Sequence, residues 1–154
     1  MTIDSIGAVT MPLQPAFEAR TSNTLSNFSI STAHTIQFNT ERYDVNGDFN
    51  TSNHTFTAPV TGKYVLNTFI RLQEVDKDAS YYHLYFQTSN RTYFDIIDAR
   101  GFDTDLAYMN MRCSVLADMD AGDTAYVQIY QAGGAAQTDV AANSDVHFSG
   151  FLAC

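Results

Sequence analysis

The chain has 154 residues, 45% of them hydrophobic and 16% charged, and carries a formal net charge of -9 at pH 7. That length is one domain able to bury about two thirds of the surface its unfolded form exposes, and that composition offsets the entropy of ordering, which excludes a disordered chain. The eight Lys and Arg are scattered between Arg20 and Arg112 and leave few cations to neutralise phosphates, so nucleic acid and anionic membranes are not expected partners.

Residues 1–14 read as a lead-in segment. The opening "MTIDSIGAVTMPLQPAF" has no basic start and no unbroken apolar core, so it is not a signal peptide, and no stretch approaches the roughly 18 apolar residues of a membrane-spanning helix. Residues 15–154 read as one domain with period two almost throughout. "DVNGD", Asp44 to Asp48, is a turn. Next comes "NHTFTAPVTGKYVLNTFIRL", Asn53 to Leu72, in which Pro59 cannot donate to a ladder and Gly62 tolerates a positive φ, so "TAPVTG" is a corner between strands. The "KYVLNTFIRL" that follows is apolar on both parities, as in a strand covered on both faces by another sheet or another subunit.

Further on, "YYHLYFQ" sets Tyr82, Leu84 and Phe86 against Tyr81, His83 and Tyr85. "LAYMNMRCSVL" places Ala107, Met109, Met111, Cys113 and Val115 on one face, and "TAYVQIYQ" does the same with Ala125, Val127 and Ile129. "DMDAGD" and "QAGGA" punctuate these strands as turns. The expectation is an all-β, two-sheet antiparallel jelly-roll sandwich of about ten strands with almost no helix. Cys113, on an apolar face, is expected buried and reduced; Cys154 is left open. Two cysteines so placed make no disulfide framework.

The motifs carry a resemblance. "PAFEAR", "FNTERYDVNGDFNTSNHTFTAPVTGKYVLN", "VLADMDAGDTAYVQI" and "FSGFLAC" fall in the order and approximate spacing of the globular complement C1q domain, of the C1q and tumour-necrosis-factor-like jelly-roll family. Its strongest part is Phe56, Thr57, Ala58, Pro59, Gly62 and Tyr64, joined by Gly122 and Asp123 and by Phe148, Gly150, Phe151 and Leu152. The resemblance implies a compact homotrimer that binds partners through exposed loops, and no enzyme. The chain lacks a collagen-like Gly-X-Y stalk, so the expected setting is a recognition or adhesion head for a receptor, glycan or protein, at the end of a phage or bacterial surface fibre. The alternative is a structural trimerisation cap or virion decoration protein with no separate ligand.

The chemistry-bearing residues add little to this. His34, His54, His83 and His147 lack the two-to-five-residue spacing of zinc ligands. "DMDAGD" has Gly122 at the fifth place and Ile129 at the twelfth, unlike a calcium loop. The denser acidic loop "DIIDARGFDTD" supplies calcium candidates Asp95, Asp98, Asp103 and Asp105, calcium being the one cofactor the residues suggest. Paired carboxylates make a glycosidase a distant third reading. The Asn-x-Ser/Thr sites at Asn27, Asn50, Asn53 and Asn90 are read as chance in an Asn/Ser/Thr-rich chain. Tyr81, Tyr85, Tyr108, Tyr126 and Tyr130 point away from the assigned core faces, toward intersubunit packing, sheet-face contacts or a sugar-stacking platform.

Overall fold

The computed structural model describes every residue except Asp4, Ala8 and Pro12, with Val9 and Thr10 placed by their backbone. Among the described residues there is no helix. The strands in chain order are β1 (Thr2–Ile3), β2 (Val9–Thr10), β3 (Ala16–Arg20), β4 (His34–Thr35), β5 (Thr40–Asp44), β6 (Phe49–Asn50) and β7 (Thr55–Thr57). They continue with β8 (Gly62–Val75), β9 (Tyr81–Thr88), β10 (Thr92–Asp98), β11 (Leu106–Met119), β12 (Thr124–Ala132), β13 (Asp139–Val140) and β14 (His147–Leu152). Five of these are two-residue pairings, so the longer ones come close to the expected ten.

The lead-in folds into a small hairpin, β1 against β2, and the rest forms two antiparallel six-stranded sheets. The first runs β10-β9-β12-β7-β6 with β4 beside β12; the second runs β11-β8-β14-β3-β5 with β13 beside β8. This is the jelly-roll sandwich expected from the period-two segments. In β9 and β12 the buried residues are Tyr82, Leu84 and Phe86, and Ala125, Val127 and Ile129, the parities read from the sequence. β10 and β11 are the open ends of their sheets, joined by the loop 99–105.

The core is an aromatic cluster drawn from both sheets. Phe17 stacks on Phe56 at 4.6 Å and on Phe49 at 5.1 Å, and Phe148 meets Phe17 edge-on at 4.9 Å. Tyr64 and Tyr82 are fully buried and keep their hydroxyls satisfied. Tyr64 donates to the Val60 carbonyl at 2.8 Å and Tyr82 shares a 2.9 Å bond with Thr138, so each buried hydroxyl has a partner.

Two sequence features find their physical reason here. Gly62, a residue that tolerates a positive φ, is not among the residues that adopt one; glycine is needed there for close approach. A Cβ there would stand 2.6 Å from Leu152 Cδ1 and 2.7 Å from the Cys154 carbonyl oxygen, because the C-terminal strand end is laced to Lys63 by two 2.7 Å backbone bonds. The double-parity pattern of β8 also has a local cause. Tyr64, Leu66, Thr68, Ile70 and Leu72 face the core, whereas Phe69 faces outward and is only 9% exposed because Arg112 and His147 cover it within the same chain.

Candidate functional site

Register decides which side chains meet outside the core. Across the first sheet Ile96 lies opposite His83 and His83 opposite Tyr130, while Phe94 lies opposite Tyr85 and Tyr85 opposite Gln128. Because alternate residues share a face, the outward face of this sheet gathers aromatic rings from three strands. His83 is at its centre, with ring centroids of Tyr81, Tyr85, Phe94 and Tyr130 at 4.7, 5.1, 5.2 and 6.3 Å. Phe94 remains 58% and Ile96 49% exposed. Of the five tyrosines singled out in the sequence, Tyr81, Tyr85, Tyr126 and Tyr130 lie on this face, and Tyr108 is on β11 of the other sheet.

The face is electrically neutral at its centre. Burial pushes the His83 imidazole down and the Tyr85 phenol up, so both are uncharged at neutral pH and share a 2.5 Å hydrogen bond through His83 Nδ1. His83 Nε2 is buried without a hydrogen-bond partner among the described residues. At the rim Thr92 donates to Gln87 at 2.6 Å and Gln87 donates to Gln128 at 3.2 Å. Rings bordered by amides suit the C–H face of a sugar or an apolar side chain of a protein.

A second feature lies on the outward face of the other sheet, a cavity of about 710 Å³ lined by side chains of Arg42, Arg71, Arg112, His147, Asn67 and Asn110 among others. The cations that looked scattered along the chain converge here. Arg112 lies over the Phe69 ring at 4.9 Å, with His147 stacked beside it at 6.3 Å. Arg42 pairs with Glu18 at 2.5 Å and also donates to the Ser144 carbonyl, and Arg71 approaches Asp145 at 3.7 Å.

Cys113 also lines this cavity and is half-buried, a correction to the fully buried thiol expected from its strand face; Cys154 is exposed and neither is in a disulfide. The β11 edge lets solvent reach the cavity side of Cys113. Burial, with Asp95 nearby, pushes its thiol up from the ordinary value, which lowers the thiolate fraction at neutral pH. A native-state thiol titration should therefore label Cys154 first and Cys113 slower by roughly tenfold or more. Equal rates would contradict that ordering.

The acidic loop is used for local structure. Asp95 accepts from the Ile96 N–H at 3.0 Å, and Asp105 caps the Lys77 N–H at 3.0 Å. Asp98 is forked by Arg100 at 2.9 and 2.5 Å, which holds its carboxyl down at about 2. Asp103 is exposed on the connecting loop. The four are not brought together, and among the described residues no three His, Cys, Asp or Glu form a group that could hold a metal ion. In "DMDAGD", Asp123 accepts from Asp120 N–H and from Asn90 at 2.8 Å around Gly122 at φ 93°, an arrangement that closes a turn. The histidines are apart: His34 packs on Phe28 and His54 reaches the Phe38 carbonyl at 3.3 Å.

Sequence reasoning found the outward tyrosines but missed Phe94 and Ile96 on β10, where alternation alone does not say which face is covered. It also missed the cationic cavity. The signal was there in the outward parities of β8 and β11, but only their pairing places Arg112 opposite Phe69 and Asn110 opposite Arg71.

Comparison with known proteins agrees with this geometry. Residues 16–153 match the C1q domain family. Among solved structures, the globular domain of zebrafish complement 1qA protein aligns with 92% of this chain and 98% of its own at 18% identity and a TM-score of 0.61. Murine APRIL aligns with 90% of this chain and 98% of its own at 14% identity and a TM-score of 0.63. Among curated proteins none matches the chain at a significant level.

Proposed function

The chain belongs to the C1q domain family, and on that premise we propose that it is a homotrimeric recognition or adhesion head that binds a receptor, glycan or protein. Domains of this C1q and tumour-necrosis-factor-like class are non-enzymatic recognition modules and typically form trimers. The observation that carries the reading for this chain is the outward aromatic face around His83. Five rings from three strands are held in a sheet, neutral and partly exposed, where a monomeric domain without a partner would more commonly present polar residues. Rigid rings cost little conformational entropy on binding, which is why such faces serve recognition. The loops expected to bind partners flank this face, and the β9–β10 and β11–β12 turns border it.

Placement at the end of a viral or bacterial surface fibre is part of this proposal. Gln14 donates to the Leu152 carbonyl at 2.6 Å and Leu152 N–H to the Pro15 carbonyl at 3.0 Å, which ties the approach to the first strand to the last strand. The calcium reading of the acidic loop gains no support from the separated carboxylates.

The test is a glycan-array and cell-surface binding screen of the purified protein, repeated with Tyr85→Ala and Phe94→Ala combined. A ligand bound by the wild type is expected to be lost from the double variant while its circular dichroism is unchanged. A ligand retained by the double variant, or no ligand in either screen, would favour the structural cap.

A further inference from the structure

We propose that the outward aromatic face of the first sheet holds an uncharged glycan, gripped by a rail of amides that crosses the sheet beside the rings. This rests on the recognition reading above and names the ligand class of that same face. The face lies on the far side of the sandwich from the outward surface of the second sheet, so copies that pack through the second sheet leave it open.

The rail is the first argument. Thr92 Oγ1 donates to Gln87 Oε1 at 2.6 Å, Gln87 Nε2 donates to Gln128 Oε1 at 3.2 Å, and Gln128 Nε2 donates to Thr35 Oγ1 at 3.4 Å. These residues come from β10, β9, β12 and β4, so one line of hydrogen bonds ties four strands. Each amide uses one N–H and one lone pair in the rail, which fixes its orientation and leaves the other N–H and the other lone pair for a ligand. A donor and an acceptor held side by side match neighbouring hydroxyls of a sugar ring, each of which donates and accepts. Ordering the two glutamines beforehand lowers the entropy lost on binding.

The rings are the second argument. By register the rail passes between Tyr126, which lies opposite Gln87, and Tyr85, which lies opposite Gln128. Phe94 stacks one face on His83, with centroids 5.2 Å apart and planes at 25°, and belongs to the open strand β10. It is 58% exposed, so its second face is left for a pyranose ring. Tyr85 adds a directed donor. His83 Nε2 is buried with no partner among the described residues, and a bare lone pair is tolerated there better than an orphaned N–H. The ring hydrogen is therefore on Nδ1, which donates to the Tyr85 oxygen at 2.5 Å and leaves the phenol hydrogen for the ligand.

Charge is the third argument, and it chooses the occupant. Asp and Glu outnumber Lys and Arg 17 to 8 in the chain. Yet the three rows that register aligns on this face, from Thr92 to Tyr126, from Phe94 to Thr35 and from Ile96 to Tyr130, contain none of the four. These rows hold no Lys or Arg for a uronic or sulfated sugar. A protein of ordinary surface composition would bring charges that nothing in them could pair.

The test is calorimetric titration of the intact protein with cellotetraose, maltotetraose, mannotetraose and galactotetraose, and with tetragalacturonate as the charged counterpart. Saturable binding of at least one neutral sugar and none of tetragalacturonate is expected. The affinity should change by less than about twofold between low and high salt, as for a contact without charge. Gln128→Glu keeps the shape of the side chain and can still accept from Gln87, but it has no N–H to donate. It should weaken binding by about tenfold with circular dichroism and sedimentation unchanged, and Gln87→Leu should do the same. Absence of saturable binding by every neutral sugar, tighter binding of tetragalacturonate, or unchanged affinity in both glutamine variants overturns the proposal. So does a change of oligomer mass in Gln128→Glu, which would make the face a contact between copies. The two readings fail separately. A protein or charged glycan that binds the wild type and is lost from the combined Tyr85→Ala and Phe94→Ala variant keeps the aromatic face as the recognition surface and overturns its assignment to uncharged glycans.

Discussion

Phe148→Ala is expected to destabilise the fold by about 3–5 kcal/mol, the range for deleting a fully buried phenylalanine ring. Phe148 is 0% exposed. Its ring lies within 4.9 Å of Phe17 and 5.4 Å of Phe86, and within 5.8 and 5.9 Å of Phe49 and Phe38. Phe17 belongs to the second sheet with Phe148, while Phe49 and Phe86 belong to the first, so one ring joins the two layers. The void would not collapse readily. Phe17 is already held against the strand, since a Cβ on Gly150 would stand only 2.8 Å from its Cε1 and 2.7 Å from Leu66 Cδ2. Phe148→Leu, which keeps most of the apolar volume, should cost less than half as much. Urea unfolding at one fixed protein concentration measures both, because assembly makes apparent stability concentration-dependent. A loss under about 1 kcal/mol for the alanine variant would mean that Phe148 does not bridge the sheets as its contacts indicate.

How much of this was legible beforehand varies with the range of the interaction that decides it. Local alternation is decided within a few residues, and it placed the core faces of β9 and β12 and four of the five outward tyrosines on one face. The corner at Pro59 was legible for the same reason: proline cannot serve a ladder wherever it lies. Gly62 shows where that stops. Its need for glycine comes from Leu152 and Cys154, some ninety residues away, and no local rule carries that information. β8 is the same case in reverse, since its apolar second face suggested an outside cover and Arg112 of β11 supplies one from within.

The site divides along the same line. A run of acidic residues such as Asp95 to Asp105 is conspicuous in sequence, yet side chains close along a chain need not converge; here Asp98 turns to Arg100 and Asp105 to the backbone of Lys77. Arg42, Arg71 and Arg112 are far apart in sequence and line one cavity only because β11, β8, β14, β3 and β5 lie side by side in the second sheet. Proximity in sequence overstated the first cluster and hid the second.

Leu116→Asp combined with Phe151→Asp is expected to convert the proposed trimer to single chains. Along the second sheet Leu116 lies opposite Val65, Val65 opposite Phe151, and Phe151 opposite Ala16. That gives an apolar row on an outward face, with Leu116 60% and Phe151 45% exposed. It lies four residues along the strands from Arg112, roughly 13 Å at the rise of a β-strand, so it is separate from the cationic cavity. The edge strands β10 and β11 are open, and Tyr108 on β11 is 65% exposed. An open edge of this kind invites pairing unless it is covered. A row and an edge at different places on one molecule make a heterologous contact, which closes into a ring when the rotation is three-fold. Each chain would use both surfaces, so two aspartates per chain enter all three interfaces at once, and each buried unpaired carboxylate costs several kcal/mol. At micromolar concentration, light scattering should find the wild type near three times the 17.1 kDa of the chain and the double variant near one. Ser52→Asp, in the exposed β6–β7 turn away from both surfaces, should leave the mass unchanged. A wild type that runs as a single chain, or a double variant that stays assembled, would remove the apolar row from the interface.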